Sequence, residues 1–126
     1  YWPELAKGIS LATGMELDVT GLKKIGERIY NLQRCFNVRG GISRKDDTQP
    51  KRILTESGSG RAKGYSAGPL QDPMLDEYYE LRGWDKKTGW PSREKLEELD
   101  LKDVADTLEK MGRLPKRQKK EKNKFR

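Results

Sequence analysis

"GLKKIGERIYNLQRCFNVRGG", residues 21–41, is the stretch whose reading decides the fold. Leu22, Ile25, Ile29, Leu32 and Phe36 recur at spacings of three and four, the period of one face of an α-helix. Asp18 or Thr20 stands where the helix start needs a capping side chain. Gly40-Gly41 supplies its stop, because glycine accepts the left-handed backbone of a helix exit. At about 100° per residue the apolar stripe covers roughly 80° of the helix. Cys35, the only cysteine of the chain, falls about 100° from the centre of that stripe, on its flank.

Shorter helices are expected on either side. Residues 3–13 open on Pro3, suited to a first helical turn, carry Leu5, Ile9 and Ala12 on one face, and stop at Gly14. Asp72-Pro73 reads as another helix start, with Met74, Leu75, Tyr78, Tyr79 and Leu81 as its buried side and Gly83 as its end. Ser92 caps a short helix carrying Leu96 and Leu99. A last helix puts Leu101, Val104, Ala105, Leu108 and Met111 in phase and stops at Gly112. Between Ile42 and Leu70 periodicity disappears into charged and Gly/Ser-rich sequence with Pro50 and Pro69. This reads as one long loop, wrapping over a larger body or partly mobile. No alternating strand pattern occurs, so the fold class is all-α, short helices joined by a long Gly/Ser-rich loop, with no internal repeat.

The chain has 126 residues, 33% apolar and 37% charged, enough for one modest core. It holds no apolar run long enough to span a membrane, and its start at Tyr1 without a Met is read as the cut edge of a longer protein. The tail from Pro115 to Arg126 has seven basic residues and one acid, so nearly all of the net charge of +7 belongs to it. Two segments are expected, a helical domain over 1–114 and a disordered basic tail over 115–126. A single cysteine forbids an internal disulfide and fits a reducing cytoplasm. The absence of histidine removes the usual general base and the commonest transition-metal ligand.

Each candidate for chemistry has a plainer explanation. Cys35 is one thiol where an iron–sulfur cluster needs four, and is expected to be a small packing residue. Asp46-Asp47, between Arg44-Lys45 and Lys51-Arg52, is expected to clamp its loop by pairing with those cations and bonding backbone donors rather than to hold a hard metal ion. The glycines of residues 58–68 lack the phosphate-loop pattern and read as flexible connection. Trp84 and Trp90 flank a turn and are expected to anchor a chain reversal rather than stack bases. The tail "PKRQKKEKNKFR" supports an alternative function, a small helical adaptor that binds nucleic acid through its basic arm.

Three ordered pieces carry a family likeness. "GERIYNLQRCFNVRGGISRKDDTQPKR" resembles a signature of the tungsten-dependent aldehyde:ferredoxin oxidoreductase family. "MLDEYYELRGWDKKTGWPSREKLEELDL" resembles the ending of the same family, and "YWPELAKGISLATG" resembles the segment before its first signature. The resemblance implies the helical C-terminal domain of a larger enzyme that oxidises aldehydes to acids. That enzyme would carry a tungsten (or molybdenum) bispterin and a four-iron–four-sulfur cluster that passes electrons to ferredoxin. It implies that the cluster cysteines and pterin contacts lie upstream of Tyr1, and that this piece alone is silent and holds no cofactor. The motif residues Arg28, Asn31, Arg34, Asn37, Arg39, Asp46, Asp47 and Arg52 are then expected to dock helix and loop against the cofactor-bearing part. Partners would be the preceding domains of the same polypeptide, ferredoxin, and through any uncovered apolar face a second copy. Nucleic acid and membrane are not expected partners. The resemblance is imperfect: Gly40-Gly41 stands where the family commonly has a polar residue before one glycine, and Gln49 where Leu is common.

Overall fold

A computed structural model of the chain describes residues 1–116. Six α-helices follow one another: α1 (Trp2–Thr13), α2 (Val19–Arg39), α3 (Lys51–Thr55), α4 (Gly68–Arg82), α5 (Arg93–Glu98) and α6 (Lys102–Lys110). Among the described residues there is no strand, only the isolated bridges Gly58–Lys63 and Trp84–Pro91. The all-α expectation therefore holds.

The ends of the helices follow their residues. Asp18 accepts a hydrogen bond from the Gly21 N–H at 2.7 Å and caps α2. At its far end Gly40 stays right-handed and Gly41, at φ 104°, makes the exit. Arg113 adds a tie that the sequence did not suggest, its Nη1 donating to the carbonyls of Val38 and Arg39. Those carbonyls belong to the last turn of α2, where a cation suits the helix dipole. Ser92 caps α5 through the Lys95 N–H.

α5 and α6 form a hairpin that packs on the C-terminal half of α2. Cys35 and Val38 of α2 join Leu96, Leu99, Leu101, Ala105 and Leu108 in one aliphatic core, edged by Trp90, Val104 and Leu114. Asp100 turns the hairpin at φ 58°, a left-handed conformation that Asp tolerates better than most residues. Arg28 fastens the turn, donating to the Leu99 carbonyl and to the Asp100 carboxylate.

On α2 the apolar stripe and the buried face differ, and on α4 expectations are corrected. The stripe of α2 does not face the core: Ile29, Leu32 and Phe36 are exposed, Phe36 by 65%, while Asn31, Arg34, Cys35 and Val38 are buried. Periodicity shows which residues share a face, not which side a neighbour will occupy, and here the neighbours sit on the flank. On α4, Tyr79 is buried but Met74 and Leu81 are exposed. Leu5 of α1 and Met111 are exposed as well, with Ala6 serving as the buried contact of α1. The long loop contains 3-10 turns at Arg44–Asp46 and Gly60–Ala62 and the short helix α3. α4 begins at Gly68, a turn before Asp72-Pro73, and so Pro73 lies inside it at the loss of one helical hydrogen bond. The earlier start follows from α3, whose Ile53 carbonyl accepts from the Ala67 N–H, and whose Leu54 carbonyl would lie 2.6 Å from a Cβ on Gly68. The tail from 117 onward falls outside the described residues.

Candidate functional site

Of the motif residues, Asn31, Arg34 and Asp47 meet where α2, the Arg44–Asp46 turn, α4 and the turn after α4 converge, whereas Arg28, Arg39 and Arg52 lie elsewhere. Arg34 projects from α2 and donates from Nη1 to Asp47 Oδ1 at 2.7 Å, from Nη2 to Asp47 Oδ2, and from Nε to the Gly89 carbonyl at 2.9 Å. The fork matches the carboxylate with both oxygens, the arrangement for which arginine is suited. The Tyr79 hydroxyl of α4 also donates to Asp47 Oδ2. Arg34 lies over the Trp84 ring at 4.8 Å, and Trp84 Nε1 donates to Asn31 Oδ1 at 2.8 Å. Asn31 in turn donates to the Glu27 carbonyl at 2.9 Å. Among the described residues every buried side-chain polar atom has a partner, which a polar interior requires.

The electrostatics follow from this packing. Burial pushes the Asp47 carboxyl up, but hydrogen bonds from Arg34 and Tyr79 and the charges of Arg34 and Arg44 outweigh it. Asp47 is therefore held below the usual carboxylate range. Burial, with the Asp47 carboxylate, pushes the Tyr79 phenol upward, so it remains a donor. For Cys35 burial dominates over the nearby Arg34 charge and raises the thiol to about 11.

The expected clamp exists, with a backbone donor on Asp46 as expected but with a different cation on Asp47. Asp47 takes Arg34 from across the fold, whereas Asp46 accepts from the Ser43 N–H at 2.9 Å and closes its own turn. Arg44 pairs with Asp72 and Asp76 of α4, and Arg52 with Glu56 on the surface. Of the motif residues, Arg28, Asn31, Arg34 and Asp47 are consumed inside the chain. Asn37, Arg39, Asp46 and Arg52 remain exposed, with Arg39 stacked over Phe36 at 5.0 Å.

Sequence reasoning missed Gly89, at φ 68°. A Cβ there would lie 2.6 Å from Arg34 Nη2 and 2.9 Å from the Tyr79 hydroxyl oxygen. Glycine is required both for the left-handed backbone and for the close approach of Arg34. The one signal was the turn pattern "TGWP". Arg93 was missed too: it joins α5 to α6 through Glu97, Asp106 and Glu109. Trp84 and Trp90 do anchor the reversal, Trp90 Nε1 donating to the Ile42 carbonyl.

A cavity of about 440 Å³ opens beside this network, with Gln33, Asn37, Asp46 and Gln49 in its wall. Its donors do not fit an iron–sulfur cluster, which takes ionised thiolates. The one thiol, Cys35, is buried with its proton held. Among the described residues no three His, Cys, Asp or Glu side chains gather where a metal ion could sit. What the arrangement does chemically is fasten a helix, a loop and a turn to one another.

Residues 1–101 match the family model described as aldehyde ferredoxin oxidoreductase, domains 2 and 3. The chain is 41% identical over 95 residues to the tungsten-containing aldehyde ferredoxin oxidoreductase of Pyrococcus furiosus, which covers 74% of this chain and 15% of the relative. The enzyme of the same description from Thermococcus kodakarensis gives the same identity and coverage. The chain therefore spans about 15% of the length of these curated relatives. Among solved structures, the active site complex BamBC of benzoyl coenzyme A reductase with 1,5-dienoyl-CoA superposes with a TM-score of 0.77. That likeness is at 32% identity and covers 93% of this chain and 16% of the other.

Proposed function

The chain belongs to the aldehyde ferredoxin oxidoreductase family, and from that membership we propose that it is the helical packing part of an enzyme oxidising aldehydes to carboxylic acids. The observation that supports this reading is the 41% identity over 95 residues to enzymes of that description. In the proposal the complete protein holds a tungsten bispterin and a four-iron–four-sulfur cluster in its other parts, and passes two electrons per aldehyde to ferredoxin in the cytoplasm. Tungsten is preferred to molybdenum because the relatives are described as tungsten-containing. No helix among the described residues is long and apolar enough to cross a membrane.

Within this reading the motif residues divide their work. Arg28, Asn31, Arg34 and Asp47 fix helix, loop and hairpin in one arrangement. Asn37, Arg39, Asp46 and Arg52 are thereby presented to the cofactor-bearing part. This chain supplies no cluster ligand, since Cys35 is committed to the core. The nucleic-acid adaptor reading gains nothing from the relatives, which are oxidoreductases.

The test compares the complete polypeptide with this chain alone. The complete protein should reduce a viologen acceptor on addition of aldehyde and contain tungsten and iron; this chain should do neither. Stoichiometric iron or tungsten on this chain alone would overturn the assignment of ligands. The likeness to benzoyl coenzyme A reductase favours a second substrate class. A complete protein that is silent towards aldehydes but turns over 1,5-dienoyl-CoA would move the function there.

A further inference from the structure

We propose that the outward stripe of α2, with the groove between α2 and α6, seats an apolar helix from the remainder of the same polypeptide. This rests on the family reading above. The groove has a volume of about 410 Å³ and is walled by Leu32, Cys35, Phe36, Val104 and Leu108, with Arg39 and Asp103 at its edge. Ile29 and Leu32 complete the stripe and are about half exposed. Apolar anchors at spacings of three and four beside a second helix form the ridge-and-groove surface on which another helix packs.

Continuity with an existing interface points the same way. The first part of the stripe, Leu22 and Ile25, is half-buried at the end of α2 on which α1 packs, with Lys23 over the Trp2 ring. Beyond α1 the stripe continues uncovered.

The occupant follows from where the apolar faces point. The exposed stripe of α2 lies roughly 140° round the helix from its buried face, at 100° per residue. On α4, Leu70, Met74 and Leu81 are exposed and lie about 160° from Tyr79 on the same count. The inward faces of α2 and α4 are tied together through Arg34, Asp47 and Tyr79, so the two stripes look away from each other. A second copy related by a two-fold axis covers one such patch and leaves the other in water. A longer chain can cover both, and about 85% of the relatives' length lies outside the match.

Area agrees. The chain exposes 10291 Å², against about 6,900 Å² expected for a compact protein of its mass. Counted at the average area of an unfolded chain, the ten residues outside the described range account for about 2,000 Å² of that excess. The rest, on the order of 1,500 Å², exceeds the roughly 800 Å² that one partner gives to a standard interface.

The experiment uses the complete polypeptide with Leu32→Cys, Phe36→Cys or, as an exposed control, Lys110→Cys. Each is labelled with a maleimide under native conditions and located by mass spectrometry. Positions 32 and 36 should label at least about 100-fold more slowly than 110, and dilution should not change that ratio. Equal rates would overturn the proposal, as would protection lost on dilution, the mark of a second copy. Where a cysteine variant fails to fold, carbene footprinting of the wild-type protein replaces it, and heavy modification of Leu32 and Phe36 overturns the proposal equally. Aldehyde oxidation is measured on the same samples. Activity with an accessible stripe sinks the docking alone, and a protected stripe without activity on aldehyde or 1,5-dienoyl-CoA sinks the proposed function alone.

Discussion

The network between α2 and α4 and the core between α5, α6 and α2 both bury residues of the same long helix, by opposite chemistry. Within the buried face of α2, Arg34 and Asn31 reach Asp47, Tyr79 and Trp84 through directed bonds. Their neighbours Cys35 and Val38 meet Leu96, Leu99 and Leu108 through undirected apolar contact. A directed network fixes one geometry and fails sharply, because removing a partner strands a polar group. An apolar core degrades by volume and tolerates reshaping. The chain thus uses α2 as a spine whose buried face has a rigid polar part and a forgiving apolar part, and displays its remaining face outward.

The largest test removes the centre of the network. Arg34→Met in the complete protein leaves the Asp47 carboxylate partly buried without its cation, and should lower unfolding free energy by about 3–5 kcal/mol. Replacing Asp47 by Asn in the same molecule should restore part of that loss, since no charge is then stranded. Chemical denaturation of the three proteins measures both. A loss below 1 kcal/mol for Arg34→Met would show the network to be ornamental. The apolar part offers the contrast: Leu108→Ala should cost about 3 kcal/mol by opening a cavity. Leu108→Met should cost less than about 1.5 kcal/mol. No equally mild exchange exists for Arg34, because Lys cannot reproduce the fork.

Gly89→Ala probes the contact between the network and the turn that supports it. The new Cβ meets Arg34 and Tyr79 on a left-handed backbone, and a loss of about 2–3 kcal/mol is expected. Unchanged stability would mean that the turn yields more easily than its packing suggests.

How much of this was legible in the sequence depends on which physics each element expresses. Asp18, Ser92, Gly83 and Gly112 act locally, so helices α2, α5, α4 and α6 end where those residues say. The aliphatic hairpin was legible too, because Leu96, Leu99, Leu101 and Leu108 pack in their own phase. Three things were not. The start of α4 is set by the Ile53 and Leu54 carbonyls, contacts that no local pattern encodes. The partner of Asp47 lies 13 residues away on another element, beyond the adjacent cations that charge pattern suggested. The stripe of α2 was visible as a stripe, and uncovered apolar faces were expected in general. Which face would be uncovered was not legible, since periodicity holds no information about which covering body is present.

Acid should separate the two parts. The Asp47 carboxyl is held below its ordinary value, so its stabilisation is fully present above the unfolded-state value of about 3.9. It is lost as pH falls through the lower folded-state value. In an unfolding series from pH 5 downward, Asp47→Asn should flatten the part of the acid slope that this carboxylate contributes. Leu108→Ala should lower every point by a similar amount and leave the slope alone. Parallel slopes for all three proteins would mean that other carboxylates govern acid unfolding.

The smallest expected effect concerns Cys35. Its thiol is buried and raised to about 11, so the neutral form is the one that fits the core. The stabilisation is fully present below the ordinary thiol value of about 8.5 and is lost as pH rises through about 11 in the folded state. Cys35→Ala should therefore cost about 1 kcal/mol near neutrality, a small cavity's worth. It should also remove the alkaline decline that the thiol contributes. The iron that the proposed function gives the complete protein should not change in amount, because a thiol that keeps its proton inside an aliphatic core is no ligand. A fall in iron would reassign Cys35 from the apolar part to the redox chemistry, and with it the division of labour along α2.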